Sequence, residues 1–282
     1  MMYIVTYIVL ILLILLVYIC RHILHGYYFM KKYQIKTDGF LSYIYLYKEI
    51  FIEKCYDFPI SDGMVIFDVG ANIGLFNLYM NSFKKDIQIY SFEPVPQIFR
   101  YLQDNIPKNH NNIAIDKGLG HREERVKMNY IKNASSLSSM NPFDTKKMKA
   151  HDYIYEEECG IFKGVCKSLL ESEMKKPIEI SVNITTLSNI IDQYNINKID
   201  LLKIDVEGNE LNVIKGIRPE HFNKIKYMII EIENYREGNR DEILSILNKY
   251  GFKIDNEIRD DNWIVLHVIS TNNTTSESFR LN

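Results

Sequence analysis

With 282 residues, 46% of them apolar, the chain is long enough for one full α/β domain and an appendage. Its formal net charge of −2 argues against a nucleic-acid partner, which calls for a basic surface. The cysteines, Cys20, Cys55, Cys159 and Cys166, match no zinc or redox spacing and outline no disulfide framework, so they read as ordinary thiols of a reducing compartment.

The first element is "YIVTYIVLILLILLVYIC", Tyr3 to Cys20, which contains no charged residue. As a helix it would span about 27 Å at roughly 1.5 Å per residue, near the thickness of a membrane's hydrocarbon core. A cleaved signal peptide would need a basic start and a small-residue cleavage site, and neither is present. Residues 1–22 are therefore expected to form a retained transmembrane anchor. Arg21, Lys31 and Lys32 follow the span and no Lys or Arg precedes it, which places the rest of a single-pass membrane protein on the cytoplasmic side. Residues 23–62, aromatic and without a clean period, read as a juxtamembrane linker and an N-terminal helical layer.

From residue 63 to 269 apolar runs alternate with helix-like stretches. "MVIFDV" precedes a helix over 75–81, "IQIYSF" a helix over 96–105, and "NIAID" follows. "IDLLKID" then leads into a helix over 209–215, "KYMIIEI" into one over 240–250, and "FKIDNE" and "NWIVLHVI" close the series. Near-continuous apolar strands alternating with helices predict an α/β domain, a mostly parallel sheet with helices on both faces. The short "IRDD" between the last two runs predicts a hairpin and hence an antiparallel edge. Between about 129 and 177 the alternation stops, and this insertion is either a lid or decoration. Residues 270–282 are polar and expected to be disordered.

The candidate site begins at "VIFDVGANIGLF". In a doubly wound sheet a ligand lies beyond the carboxyl ends of the strands, against the first strand-to-helix turn. Gly70 and Gly74 would clear side chains from that turn and permit unusual backbone angles, with Asn72 between them. Asp68, at the strand's end, would accept backbone or water hydrogen bonds that stiffen the loop. The D-x-G-x-N-x-G spacing is neither the pyrophosphate fingerprint nor a P-loop; it suits a nucleoside with an amino-acid tail. Glu93, ending the second strand in "YSFEPVP", could accept hydrogen bonds from both ribose hydroxyls. Asp116, after the third, would lie near the base. Asp205, Glu207 and Glu210 fall within six residues, and strand alternation gives Glu231 and Glu233 one face. Such crowding of carboxylates is costly unless something cationic or protic is shared.

Together "FDVGANIGLF", "YSFEPVPQIFRYLQDNI", "NASSLSSM", "IDLLKIDVEGNELNVIKGI" and "MIIEIENY" resemble the FkbM family of S-adenosylmethionine-dependent methyltransferases. The resemblance implies a Rossmann-like class I methyltransferase fold with a seven-stranded sheet. It implies S-adenosylmethionine at Asp68, Gly70, Asn72, Gly74 and Glu93, and small-molecule acceptors, often sugar or polyketide hydroxyls. Ser188 stands where the family tends to have an aspartate, so no role of that aspartate is carried over. On this reading Asp205 is the base or acceptor-orienting group, assisted by Glu207 and Glu231. A divalent cation, Mg²⁺, shared by these carboxylates is the variant. An NAD-type oxidoreductase, disfavoured by the missing G-x-G-x-x-G, and a catalytically silent tethered module are the rivals. Nothing in the sequence fixes an oligomeric state.

Overall fold

The computed structural model describes residues 21–138, 164, 168, 171–173, 176–233, 237–259 and 263–271. The predicted membrane span, most of the insertion and the C-terminal tail lie outside the described residues. Among the described residues, no helix is long and apolar enough to cross a membrane.

The main sheet has seven strands in the order β3-β2-β1-β7-β8-β10-β9. They are β1 (Val65–Val69), β2 (Gln88–Phe92), β3 (Asn112–Ile115), β7 (Leu201–Ile204), β8 (Tyr227–Glu233), β9 (Phe252–Arg259) and β10 (Trp263–Ser270). The first five run parallel, and β10 lies antiparallel between β8 and β9. This is the predicted Rossmann-like sheet with its antiparallel hairpin, and the strand order reverses between β1 and β7.

A second sheet was not foreseen. β4 (Gly118–Leu119), β5 (Glu124–Tyr130) and β6 (Ile178–Thr185) form a three-stranded sheet in the order β4-β6-β5. β5 alternates half-buried with exposed residues and carries Arg125 and Lys127 outward, so it lacks the apolar run that betrays the central strands.

Strand alternation sorts the core into two layers. Phe67, Val69, Leu202, Ile204, Ile230 and Ile232 face one side. There they meet α5 (Leu187–Gln193), α6 (Glu210–Lys215), α7 (Glu237–Lys249) and a 3₁₀ turn at Pro219–Lys224. Ile66, Ile89, Leu201, Ile229 and Val265 face the other side. That face is covered by α3 (Leu75–Ser82), by Ile98 of α4 (Pro96–Asn105), and by an N-terminal layer. The layer comprises α1 (Arg21–Lys32), α2 (Phe40–Tyr47) and a π-helical turn over Lys48–Glu53. Tyr43, Tyr47, Ile50 and Tyr56 pack it onto the sheet, which is why the stretch read as aperiodic and aromatic. Local signals match: Thr186 Oγ1 caps α5 by accepting from the Asn189 N–H at 3.0 Å, and Pro96 opens α4.

The same alternation decides where polar groups point. In β1, Asp68 follows Ile66 onto the face beneath the N-terminal layer. Lys203 and Asp205 follow Leu201 there, and Glu231 and Glu233 follow Ile229. The site is built on that face, at the carboxyl ends of the strands.

Candidate active site

The turn after β1 is held by backbone. The N–H groups of Gly70 and Ala71 both donate to the Phe92 carbonyl, at 3.2 and 2.9 Å, tying the turn to the end of β2. Gly70 and Gly74 have φ of 81° and 87°, so both hold the left-handed conformation the sequence suggested. The structure adds a reason of its own. A Cβ on Gly70 would stand 1.7 Å from the Asp205 carbonyl oxygen, and one on Gly74 would meet Ile106 and Leu102 at 2.8 and 2.9 Å. Glycine is demanded at both positions by the close approach of neighbouring chain. Gly70 still lines the cavity described below; Gly74 does not. Asn72 has φ 47°, a conformation asparagine tolerates, and its Oδ1 accepts from the Ile73 N–H at 2.8 Å. Ser135 Oγ donates to the same oxygen at 3.3 Å, so the "NASSLSSM" stretch reaches the turn.

Glu93 closes this end. Its Oε2 accepts from the Asn72 N–H at 3.1 Å and its Oε1 from the Val95 N–H at 2.8 Å. Burial pushes its carboxyl up to about 7, although both backbone donors favour the charged form.

The same cavity holds an acidic cluster beside the Gly70 turn. Lys203, buried on β7, places its ammonium 3.1 Å from Asp205 Oδ2 and 3.4 Å from Asp68 Oδ1. It also lies over the rings of Tyr56 and Phe76. The carboxylates around it raise its pKa against the opposing effect of burial. Tyr56 directs its hydroxyl at Glu49, Asp205 and Glu231 together. Burial, with the charges of Glu49 and Asp205, holds the Glu231 carboxyl well above the usual carboxylate range. After β7 the chain turns through Glu207 and Gly208, with φ of 56° and 92°. A left-handed glutamate costs on the order of 1 kcal/mol, and it stands here at a rim of the site.

One cavity joins these ends. Gly70, Asn72, Glu93, Asp205, Glu207, Glu231 and Glu233 line it, as do Glu49, Tyr56, Ser135 and Trp263. Leu119, Met128 and Ile184 of the unforeseen small sheet form part of its wall. Two expected members are elsewhere. Asp116 is exposed just past β3, outside the cavity, because β3 is the edge strand. Asp68 is fully buried beneath the cavity, and its carboxylate faces the Lys203 ammonium instead of accepting backbone hydrogen bonds. Burial raises its pKa and the ammonium lowers it. Ser188, in place of the family aspartate, is buried and accepts from the Arg218 N–H at 2.7 Å, a contact within the fold.

Glu49 and Tyr56 were missed by sequence reading. The only trace is a glutamate inside the apolar run "LSYIYLYKEIFI", an expensive residue to bury without a purpose.

The lining fits a cationic nucleoside. Among the described residues it holds six carboxyl groups, of Glu49, Glu93, Asp205, Glu207, Glu231 and Glu233, against one ammonium, Lys203. A sulfonium bearing an α-amino group meets that charge, and the apolar Phe92, Leu119 and Ile98 suit an adenine ring. A shared divalent cation finds no such support. Among the described residues no three His, Cys, Asp or Glu side chains are placed to hold a metal, and the Lys203 ammonium sits between Asp68 and Asp205.

Residues 68–254 match the family described as the methyltransferase FkbM domain. The chain is 31% identical over 222 residues to methyltransferase sdnD of Sordaria araneosa, covering 74% of this chain and 82% of that protein. It is 28% identical over 214 residues to the 31-O-demethyl-FK506 methyltransferase FkbM of Streptomyces tacrolimicus, with the same shares covered. A solved FkbM methyltransferase from Methylobacillus flagellatus KT superposes with a TM-score of 0.45 at 17% identity, covering 84% of this chain and 57% of that one. The chain belongs to the FkbM family of S-adenosylmethionine-dependent methyltransferases.

Proposed function

We propose that this chain methylates a hydroxyl oxygen on a small-molecule, sugar or glycan acceptor, and that Tyr3–Cys20 holds it at a membrane with the catalytic domain on the cytoplasmic side. The observation that carries the chemistry is a single cavity whose lining brings Gly70, Asn72 and Glu93 together with Asp205 and Glu231. One relative, a 31-O-demethyl-FK506 methyltransferase, is named for placing its methyl group on an oxygen, which favours the same class here. The anchor rests on the uncharged Tyr3–Cys20 run alone.

Bound in this cavity, S-adenosylmethionine supplies a methyl group already activated on sulfur. The protein's work is then alignment and proton handling. The Gly70–Asn72 turn and Glu93 hold the nucleoside end. Asp205 faces the acceptor hydroxyl and takes its proton, oriented by Lys203 at 3.1 Å. Glu231 and Glu207 keep that side of the cavity acidic. Orientation can lower the barrier by about 7–11 kcal/mol. A positioned base adds a factor of about 10²–10⁴, or roughly 3–5 kcal/mol. Positioning is the larger effect.

The test is to incubate the full-length chain with methyl-labelled S-adenosylmethionine, membranes and candidate hydroxyl acceptors. The reading expects label in a product that survives alkaline hydrolysis, as an ether does and a methyl ester does not. Label carried only on nitrogen or as ester would sink it. Alkaline carbonate extraction should leave the chain in the membrane pellet and release a variant lacking residues 1–22; release of both would remove the anchor.

A further inference from the structure

Two residues of the N-terminal layer reach the acidic side of the cavity although they precede the family-matched stretch 68–254. Glu49, on the π-helical turn, is buried, and its Oε1 accepts from the Tyr56 hydroxyl at 2.9 Å. That hydroxyl also lies 3.4 Å from Asp205 Oδ2 and in short contact with Glu231 Oε2. A phenol has one proton, so it serves one of these three carboxyl groups at a time. Three carboxylates around one buried oxygen repel one another strongly, and the nearby cation, Lys203, is divided between Asp205 and Asp68. The charge is relieved most simply by a proton shared within the group. The groups facing Glu49 are Tyr56, Asp205, Lys203, Glu231 and the Cys55 thiol, with Glu53 beyond Cys55 and Glu207 beyond Glu231.

We propose that Glu49 and Tyr56 are positioning residues acting through Asp205 and Glu231, forming with them a cluster that holds one exchangeable proton and releases it to solvent when a cationic ligand, the sulfonium of the methyl donor, enters the cavity. This rests on the methyl-donor reading above. The charge balances: one proton leaves as one positive charge arrives. In the transfer the acceptor oxygen gains the methyl carbon, the carbon–sulfur bond breaks with its electron pair left on sulfur, and the hydroxyl proton refills the cluster. The positive charge on sulfur is lost in the same step that restores the proton, so the acidic side of the cavity keeps a constant charge. Burial and the Asp205 charge push the Glu49 carboxyl up to about 7, which makes the proton exchangeable near neutrality.

The experiment needs no acceptor. S-adenosylmethionine and the neutral thioether S-adenosylhomocysteine are titrated calorimetrically into the full-length chain near pH 7, in phosphate and in Tris, whose ionisation enthalpies differ. Wild type should release about half a proton or more per S-adenosylmethionine bound, and less than half that amount with the thioether. E49Q should lose most of the release while still unfolding cooperatively. Y56F keeps the ring packing and should shift the pH at which release is half-maximal. Equal release with both ligands, or full release from E49Q, would overturn the proposal and leave the donor reading standing. If E49Q does not fold, the wild-type comparison of the two ligands and Y56F decide it. A folded wild type that binds neither ligand would overturn the donor reading and this proposal with it.

Discussion

Gly70 and Asp205 are locked together through backbone: a Cβ on Gly70 would stand 1.7 Å from the Asp205 carbonyl oxygen. The nucleoside-side turn and the proposed base are therefore one mechanical unit. Gly70→Ala must both push β7's exit aside and occupy φ 81°. We expect a loss of about 2–4 kcal/mol in urea unfolding. Gly74→Ala must also occupy φ 87° but meets side-chain methyls of Leu102 and Ile106 in place of a carbonyl, and should cost roughly 1–2 kcal/mol. A smaller loss at Gly70 than at Gly74 would show that the Asp205 contact yields easily.

Lys203 and Asp68 form the buried pair beneath the site, 3.4 Å apart with both side chains almost wholly excluded from water. Lys203→Met leaves Asp68 as an uncompensated buried carboxyl. Equilibrium unfolding at pH 7 should show a loss of about 3–5 kcal/mol. Adding Asp68→Asn to Lys203→Met should recover more than half of it. A double variant no more stable than the single one would refute the pairing.

Asp205→Asn tests the chemistry. Its turnover should fall by about 10²–10⁴ while S-adenosylmethionine affinity changes less than about threefold. Glu231→Gln should lower turnover less. Equal losses of turnover and donor affinity in Asp205→Asn would remove it as base.

Stability should fall as pH rises through neutrality. Burial lifts the carboxyls of Glu93 and Glu49 to about 7, and that of Glu210, beside Glu233, likewise. Ordinary carboxyls of the unfolded chain titrate near 4.5. Between these limits the folded state binds more protons, so its stability declines as pH rises, from its best near the lower limit. Unfolding free energy should drop by up to about 7 kcal/mol in total between about pH 5 and 8. Glu210→Gln, which keeps an acceptor for the Gly208 N–H, should flatten the slope by about a third. A rise in stability over this range would contradict the assigned charge states.

The legible part of the fold is the part set by local pattern. "VIFDV", "LLKI" and "YMIIEIE" are buried on both faces and announce central parallel strands by composition alone. Glu93 was legible because a strand tip followed by Pro94 and Pro96 leaves it little other place. What stayed hidden depends on partners far along the chain. Tyr56 meets Glu231 across 175 residues, and nothing near either announces the other. The partner of Asp68 stayed hidden because its register opposite Lys203, not its nearness to the turn, sets its surroundings. The small sheet was missed because β5 turns Arg125 and Lys127 to solvent and leaves no continuous apolar run; Asp116 was expected near the base, and it stands exposed at the tip of an edge strand.

The central claim is that the cavity between Glu93 and Asp205 binds the methyl donor, and direct titration of S-adenosylmethionine and NAD into the full-length chain tests it most simply. The account predicts saturable binding of S-adenosylmethionine, weakened about tenfold or more in Glu93→Gln with the fold intact, and no binding of NAD. Folded protein that takes up NAD, or that binds S-adenosylmethionine equally well with and without the Glu93 carboxylate, would contradict it.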